Sequence, residues 1–153
     1  MHPGNHFQIT GGYKGQRNRV LDVMTFCVDE LLPLHRTLDI FVHLGNYEAK
    51  ENIMGQCLHV DANEFQLDID NKQDLYNLIV TTCHEMVHVK QYARKELKED
   101  FPKTLWFGKT YTDARCYPWE LEAWDLQKKL AHKYIKQHTK YTIKAVKSLD
   151  KRS

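Results

Sequence analysis

His84, Glu85 and His88 have the types and the spacing of a metal-dependent hydrolytic site. They form the pattern HExxH, and residues four apart on a helix share one face, with Cβ atoms about 5–6 Å apart. Two imidazoles placed in this way can bind one tetrahedral Zn²⁺ ion. Glu85 lies about 100° around the helix from His84, which puts it beside the metal rather than among its ligands. Its carboxylate can therefore take a proton from a water molecule whose pKa the zinc ion lowers to about 7.

A catalytic zinc ion needs a third protein ligand and keeps one position open. Glu120 and Glu122 are candidates, because both lie in a helix that is predicted to begin at Pro118. Glu120 falls in the first turn, where a carboxylate also complements the helix dipole. Glu122 points about 200° away from Glu120, so only one of the two can face the metal.

The helix that carries HExxH is expected to run from a cap at Asp70 or Asn71 to about Leu97. Its side chains divide into a polar face and an apolar face. The polar face, which is expected to form a cleft wall, holds Asn77, Thr81, His84, His88 and Gln91. The opposite face, which is expected to be buried, holds Leu75, Ile79, Thr82, Met86, Val89 and Ala93.

Apolar periodicity predicts the elements around this helix. Strands are expected at residues 7–10, 38–44, 56–60 and 64–69, and helices at residues 17–32 and from 118 to about 138. Residues 98–117 are expected to be mostly loop, with a small hairpin at 105–111. Trp106, Trp119 and Trp124 are expected to pack in the core and the cleft. The order of elements predicts an α+β domain, with helices on one antiparallel or mixed sheet.

The composition is typical of one globular domain, with 153 residues, 42% of them hydrophobic and 27% charged. No apolar run approaches the length of a membrane span, and residues 1–15 lack the apolar core of a secretory signal. The four cysteines show no CxxC spacing, which indicates free thiols, a buried Cys83 and a cytoplasmic setting.

The C-terminal residues differ in charge from the rest of the chain. Residues 127–153 hold nine Lys or Arg and a single Asp, whereas the remainder has more acidic than basic residues. A basic segment of this kind suits either an acidic partner, such as nucleic acid, or a solvated helix with a frayed end. We expect residues 1–138 to form the domain and residues 139–153 to form a basic tail.

The HExxH pattern followed by a later glutamate resembles the gluzincins, zinc peptidases whose third ligand is a Glu with a small residue three places on. Glu120 with Ala123 matches this ExxA pattern, whereas Glu122 is followed three places on by Asp125 and matches it less well. The resemblance therefore implies Glu120 as the third ligand.

Three segments are also similar to small metallopeptidases encoded by bacteriophages. They are residues 84–92 (HEMVHVKQY), 106–108 (WFG) and 118–123 (PWELEA). This resemblance covers roughly residues 75–126. It implies a minimal zincin-like fold, an edge strand that binds an extended peptide substrate, and the cytoplasm of a phage host as location.

The HEMxH form resembles SprT-like proteases as well, some of which act on proteins attached to DNA. Those proteases have a third His soon after HExxH and the cysteines of a zinc ribbon. Here the next histidine is His132, and the zinc-ribbon cysteines are absent. His132 is therefore kept as an alternative third ligand.

These observations predict a zinc-dependent peptidase that acts on a protein or peptide, with Zn²⁺ on His84, His88 and Glu120 and with Glu85 as general base. Tyr111, Tyr117, Arg115 and His132 are candidates for stabilising the charge on the substrate oxygen, and Asp113 for orienting a ligand imidazole.

Two other classes of function fit the same sequence. One is a virion or assembly protein that keeps a zincin fold without catalysis, in which Glu85 is dispensable. The other is a nucleic-acid-associated protein that docks through its basic tail.

Overall fold

The computed structural model describes residues 4–112 and 117–138, and these residues form helices and strands in an α+β arrangement, as predicted. The helices are α1 (Lys14–Leu31), α2 (Tyr47–Glu51), α3 (Leu75–Ala93) and α4 (Pro118–Gln137). The strands are β1 (His6–Gly11), β2 (Asp39–Gly45), β3 (Gly55–Asp61), β4 (Glu64–Asp70), β5 (Leu97–Asp100), β6 (Lys103–Trp106) and β7 (Lys109–Tyr111).

The larger sheet has the strand order β1-β2-β4-β3 and is mixed. Strands β1, β2 and β4 are parallel, and β3 pairs antiparallel with β4. This order leaves β3 at one edge of the sheet. One face of the sheet carries the buried side chains Ile40, Val42, Leu44, Phe65, Leu67 and Ile69.

Helices α1 and α3 belong to the same core as the buried face of the larger sheet. Val20, Met24 and Cys27 of α1 have no exposed surface, and neither have Cys83 and Met86 of α3. The HExxH segment is therefore packed on one side against this core. Cys83 lies with its Sγ 3.8 Å from the Sγ of Cys27, and both are free thiols.

The predicted polar face of α3 is exposed at its N-terminal end, at Asn77, but buried at its C-terminal end. Gln91 is fully buried and His88 is only 8% exposed, whereas Leu75, predicted to be buried, is 37% exposed. The reason is that α4 packs across this side of α3 through polar contacts. Helix α3 is therefore a central helix, covered on most of its circumference.

Both predicted ends of α3 are wrong. The N-cap is Asp74, whose side chain accepts a hydrogen bond from the backbone N–H of Asn77. Asp70 is not free to cap this helix, because its carboxylate accepts the backbone N–H groups of Glu48 and Lys72. The helix ends at Ala93 rather than near residue 97, because Lys95 takes a positive φ of 60° and Leu97 begins β5.

The expectation of a loop at residues 98–117 is also wrong in part. Strands β5, β6 and β7 form a small antiparallel sheet, of which the predicted hairpin at 105–111 is the second half. β5 escaped prediction because three of its four residues are exposed and charged. The short helix α2 was not predicted either, and α1 begins three residues earlier than expected.

One predicted core residue is exposed, and several other predictions concern residues outside those that the structure describes. Trp124 is 55% exposed, so its predicted packing in the core is wrong. Cys116, Asp113, Arg115 and the basic tail 139–153 lie outside the described residues. Within the described part of the chain, no helix is long and apolar enough to cross a membrane.

We predict that Asp74→Ala destabilises the domain by about 1 kcal/mol, the usual effect of removing an N-cap side chain. The backbone N–H of Asn77 then loses its acceptor at the start of the helix that carries HExxH. Urea unfolding of the two proteins measures the difference. Asp100→Ala, at an exposed position in β5, is the matched control and should change stability by less than about 0.5 kcal/mol. Equal stability of wild type and Asp74→Ala would contradict the assignment of the cap.

Candidate metal centre

Helices α3 and α4 bring two imidazoles and one carboxylate to the same point. Nε2 of His88 lies 2.6 Å from Oε1 of Glu120, and Nε2 of His84 lies 3.6 Å from Oε2 of the same residue. The two imidazole rings are 4.9 Å apart between centroids and nearly perpendicular. HExxH supplies the histidines from one helix, and the first turn of α4 supplies the carboxylate, as the sequence predicted for its position.

Glu85 lies beside this group, on the side of the larger sheet. Each of His84, Glu85 and His88 offers a potential ligand atom, and these atoms lie within 4.8 Å of one another. Glu85 is only 4% exposed, and this burial raises the pKa of its carboxyl group. The nearby imidazoles act in the opposite direction and lower it. Glu85 is therefore a carboxyl group whose proton affinity is higher than usual.

The edge strand β3 approaches Glu85 closely because residue 55 has no side chain. A Cβ atom on Gly55 would lie 2.9 Å from Oε2 of Glu85 and 2.8 Å from Cγ2 of Thr81. Ordinary side-chain carbons do not approach other atoms so closely. The backbone of β3 is thus packed directly against the carboxylate. The sequence held no signal for this role of Gly55, because the distance depends on the sheet.

The two alternative third ligands are engaged elsewhere. Oε1 of Glu122 lies 2.9 Å from Nζ of Lys90 and 3.0 Å from Nε2 of Gln91. Nε2 of His132 lies 3.0 Å from the hydroxyl of Tyr76, on which its ring also stacks. Of the three candidates, only Glu120 contacts the histidines of HExxH.

Each histidine also contacts a glutamine on its other ring nitrogen. Nδ1 of His84 lies 2.8 Å from Oε1 of Gln127, and Nδ1 of His88 lies 2.8 Å from Oε1 of Gln91. The sequence placed Gln91 on the same side of α3 as the histidines but assigned it no role. Gln127 carried no signal at all, because it approaches His84 only through the packing of α4 on α3.

A cleft of about 250 Å³ opens next to these groups. Besides the residues already described, its lining includes Gln56 and Cys57 of β3 and Tyr92, Leu97 and Trp119. Charged residues in the described lining are confined to the two glutamates, apart from the two histidines. The lining of the cleft therefore combines charged and polar side chains with apolar and aromatic ones.

None of the predicted donors for the substrate oxygen that lie within the described residues lines this cleft. Tyr117 stacks on Trp119 with ring centroids 4.5 Å apart, and Tyr111 meets the same tryptophan edge-on at 5.5 Å. Both are thus packing partners of Trp119, which lines the cleft. Asp113 and Arg115 lie outside the described residues.

The donor set fits a zinc ion, because two imidazole nitrogens and one carboxylate oxygen are the ligands of many catalytic zinc sites. His84, Glu85 and His88 form a group that could hold a metal ion. The chemistry of the donors does not by itself identify the metal, since imidazole also binds copper, iron and nickel.

Comparison with family models, with curated proteins and with solved structures found no match to this chain.

Charge pairing in the metal-free site makes its stability depend on pH. Burial lowers the pKa of His84, but the hydrogen bond to Glu120 and the charge of Glu85 outweigh it, so the net shift is upward. Hydrogen bonds from His84 and His88 hold the pKa of Glu120 well below its ordinary value. The contribution of His84 to the stability of the folded protein is complete below its ordinary pKa of 6.5. The contribution of Glu120 is complete above its ordinary pKa of 4.5.

We therefore predict that Glu120→Gln destabilises the metal-free protein more at about pH 5.5 than at about pH 8.5. As the pH rises through the raised pKa of His84, the imidazolium loses its charge, and the contribution of the pair declines. Urea unfolding in the presence of a chelator measures both values. Asp125→Asn, on the exposed surface of the same helix, is the control and should show no such trend. An effect of Glu120→Gln that does not change with pH would contradict the pairing.

Proposed function

We propose that this protein is a zinc-dependent peptidase whose metal ion is held by His84, His88 and Glu120. The observation that carries the proposal is the approach of the Glu120 carboxylate to both histidines of HExxH, at 2.6 Å and 3.6 Å. His84 and His88 of α3 and Glu120 of α4 meet at this point, and the stability of the fold does not require them to do so. A buried glutamate, Glu85, stands beside them and faces an open cleft.

Glu85 is the general base of the proposed reaction. A bound zinc ion would supply Lewis acidity, which polarises the peptide carbonyl and makes a water molecule easier to deprotonate. Glu85 takes a proton from that water while the water oxygen forms a bond to the carbonyl carbon. The same proton then passes from Glu85 to the amide nitrogen, and the C–N bond breaks to give a carboxylic acid and an amine. The acid proton, which is the second proton of the water, is then transferred to the amine, so that the products are a carboxylate and an ammonium group. Burial suits Glu85 to this exchange, because a raised pKa makes it a better proton acceptor.

The proposed substrate is a peptide in extended form. Strand β3 is at the edge of the larger sheet, and its residues Gly55, Gln56 and Cys57 line the cleft beside the histidines. An edge strand offers unpaired backbone groups to which an extended peptide can add as a further strand. The family resemblance implies an edge strand in this role, and the position of β3 supports that assignment.

We expect Glu85→Gln to bind about one zinc ion per chain, as we expect for the wild type, and to lose peptide cleavage by a factor of at least about 10². The amide keeps the shape of the side chain but cannot take the proton. Elemental mass spectrometry measures the zinc, and a library of unstructured peptides read by mass spectrometry measures the cleavage.

His84→Ala and Glu120→Ala are expected to lower the zinc content, whereas His132→Ala is the matched control, because its imidazole is bound to Tyr76. Cleavage retained by Glu85→Gln would contradict the mechanism while leaving the metal site intact. A well-folded wild type that takes up no added zinc would instead favour the non-catalytic scaffold.

We further predict that Gly55→Ala slows cleavage at least about tenfold while zinc content stays near one per chain. The added methyl group would collide with Glu85, which must then move away from the position that the close approach of β3 defines. Gly15→Ala, in the exposed first turn of α1 and with no close contact at the added methyl, is the matched control. Unchanged cleavage in Gly55→Ala would show that the position of Glu85 does not depend on β3.

A further inference from the structure

Each histidine of the candidate metal centre contacts the neutral side-chain amide of a glutamine through its Nδ1 atom. The Nδ1 atoms of His84 and His88 each lie 2.8 Å from an amide oxygen, that of Gln127 and that of Gln91 respectively. The Nε2 atoms of the same rings face Glu120. Each imidazole therefore has one nitrogen toward the metal position and the other toward a glutamine.

The partners of Gln91 determine the direction of its hydrogen bond to His88. Its amide nitrogen lies 2.9 Å from the carbonyl oxygen of Trp119 and 3.0 Å from Oε1 of Glu122. A carbonyl and a carboxylate can only accept, so the amide N–H₂ group must face them. The amide oxygen of Gln91 consequently faces Nδ1 of His88, and that nitrogen must carry a proton. A metal ion would therefore take the place of the proton that Nε2 of His88 donates to Glu120, and would be bound through the lone pair of Nε2.

The same glutamine connects α3 to the turn of α4 that carries Glu120. Trp119 and Glu122, the two acceptors of Gln91, lie on either side of Glu120 in the sequence. Glu122 is also paired with Lys90, whose Nζ lies 2.7 Å from Oε1 of Glu96 as well. Gln91, Lys90 and Glu96 are all buried. Movement of this turn away from His88 would leave buried polar groups without partners, which is costly.

We propose that Gln91 and Gln127 are positioning residues of the metal centre, each of which holds one ligand imidazole with its Nδ1 protonated and its Nε2 directed at the metal. Gln91 has the additional role of fixing the turn that presents Glu120. The inference rests on the proposed zinc site. Hydrogen bonds to the second nitrogen of a metal-binding imidazole typically contribute a factor of about 10 to 100 to metal affinity.

Gln127 provides the cleaner test, because it is partly exposed and its removal leaves the core intact. The variants are Gln127→Leu, which removes the acceptor, and Gln127→Glu, which keeps an acceptor at the same reach. Gln137→Leu is the matched control, on the exposed side of the same helix. The zinc dissociation constant of each protein is measured by competition with a chelator.

Gln127→Leu is expected to weaken zinc binding about 10- to 100-fold. Gln127→Glu should bind at least as tightly as wild type, since a carboxylate partner raises the basicity of the imidazole. Gln137→Leu should bind as wild type does. Proton–nitrogen NMR of the zinc-loaded protein adds a second measurement, which a change in stability alone would not affect. The slowly exchanging Nδ1–H signal of His84 should disappear in Gln127→Leu, while that of His88 remains.

The second arm tests Gln91 through Gln91→Glu, which keeps the acceptor for His88 but loses the donors to Trp119 and Glu122. We expect the Nδ1–H signal of His88 to persist and zinc affinity to fall, because the turn that carries Glu120 is released. Zinc bound with wild-type affinity by both Gln127→Leu and Gln91→Glu would overturn this inference alone. A folded wild type that binds no zinc would overturn the proposed function, and this inference with it.

Discussion

The packing of α4 across the polar side of α3 is the constraint on which the rest of the structure depends. It removes water from His88, Lys90 and Gln91, and buried polar or charged groups are costly unless each has a partner. The partners are Glu120 and Glu122 of α4 and Glu96, the residue that precedes β5. The interface between the two helices is therefore specific in register, because sliding or rotating α4 by one residue would break several of these pairs together.

This polar interface lies beside the hydrophobic core, and the two have different roles. The apolar side chains of α1, α3 and the larger sheet supply the burial that stabilises the fold, since hydrophobic burial is roughly additive and non-directional. The polar contacts between α3 and α4 add directional constraints on a few side chains. A metal centre needs both the apolar core and the polar contacts, because its ligands must be held in a fixed geometry by the side chains around them.

The sequence was sufficient for the features that depend on local pattern. The HExxH helix, the alternating strands and the helix from Pro118 all follow periods of 3.6 or 2 residues, and each was confirmed within a few residues. The N-terminal end of α3 was mispredicted because Asp70 is occupied by contacts with Glu48 and Lys72, which only the fold reveals. Its C-terminal end was mispredicted because the chain turns at Lys95 and enters β5. The proximity of Glu120 was expected from a resemblance, whereas the contacts of Gln91 and Gln127 arise from helix packing and have no local signal.

The position of Glu85 depends on the edge strand β3 together with the helices. Its carboxylate is enclosed on one side by the imidazoles, on the other by the backbone of β3, and only the cleft remains open. The histidines lower its pKa and burial raises it, with burial the larger effect. A substrate that added to β3 would cover the cleft and remove more water, which strengthens every electrostatic interaction of Glu85. The closeness of β3, made possible by Gly55, would thus couple the binding of an extended peptide to the proton affinity of the base.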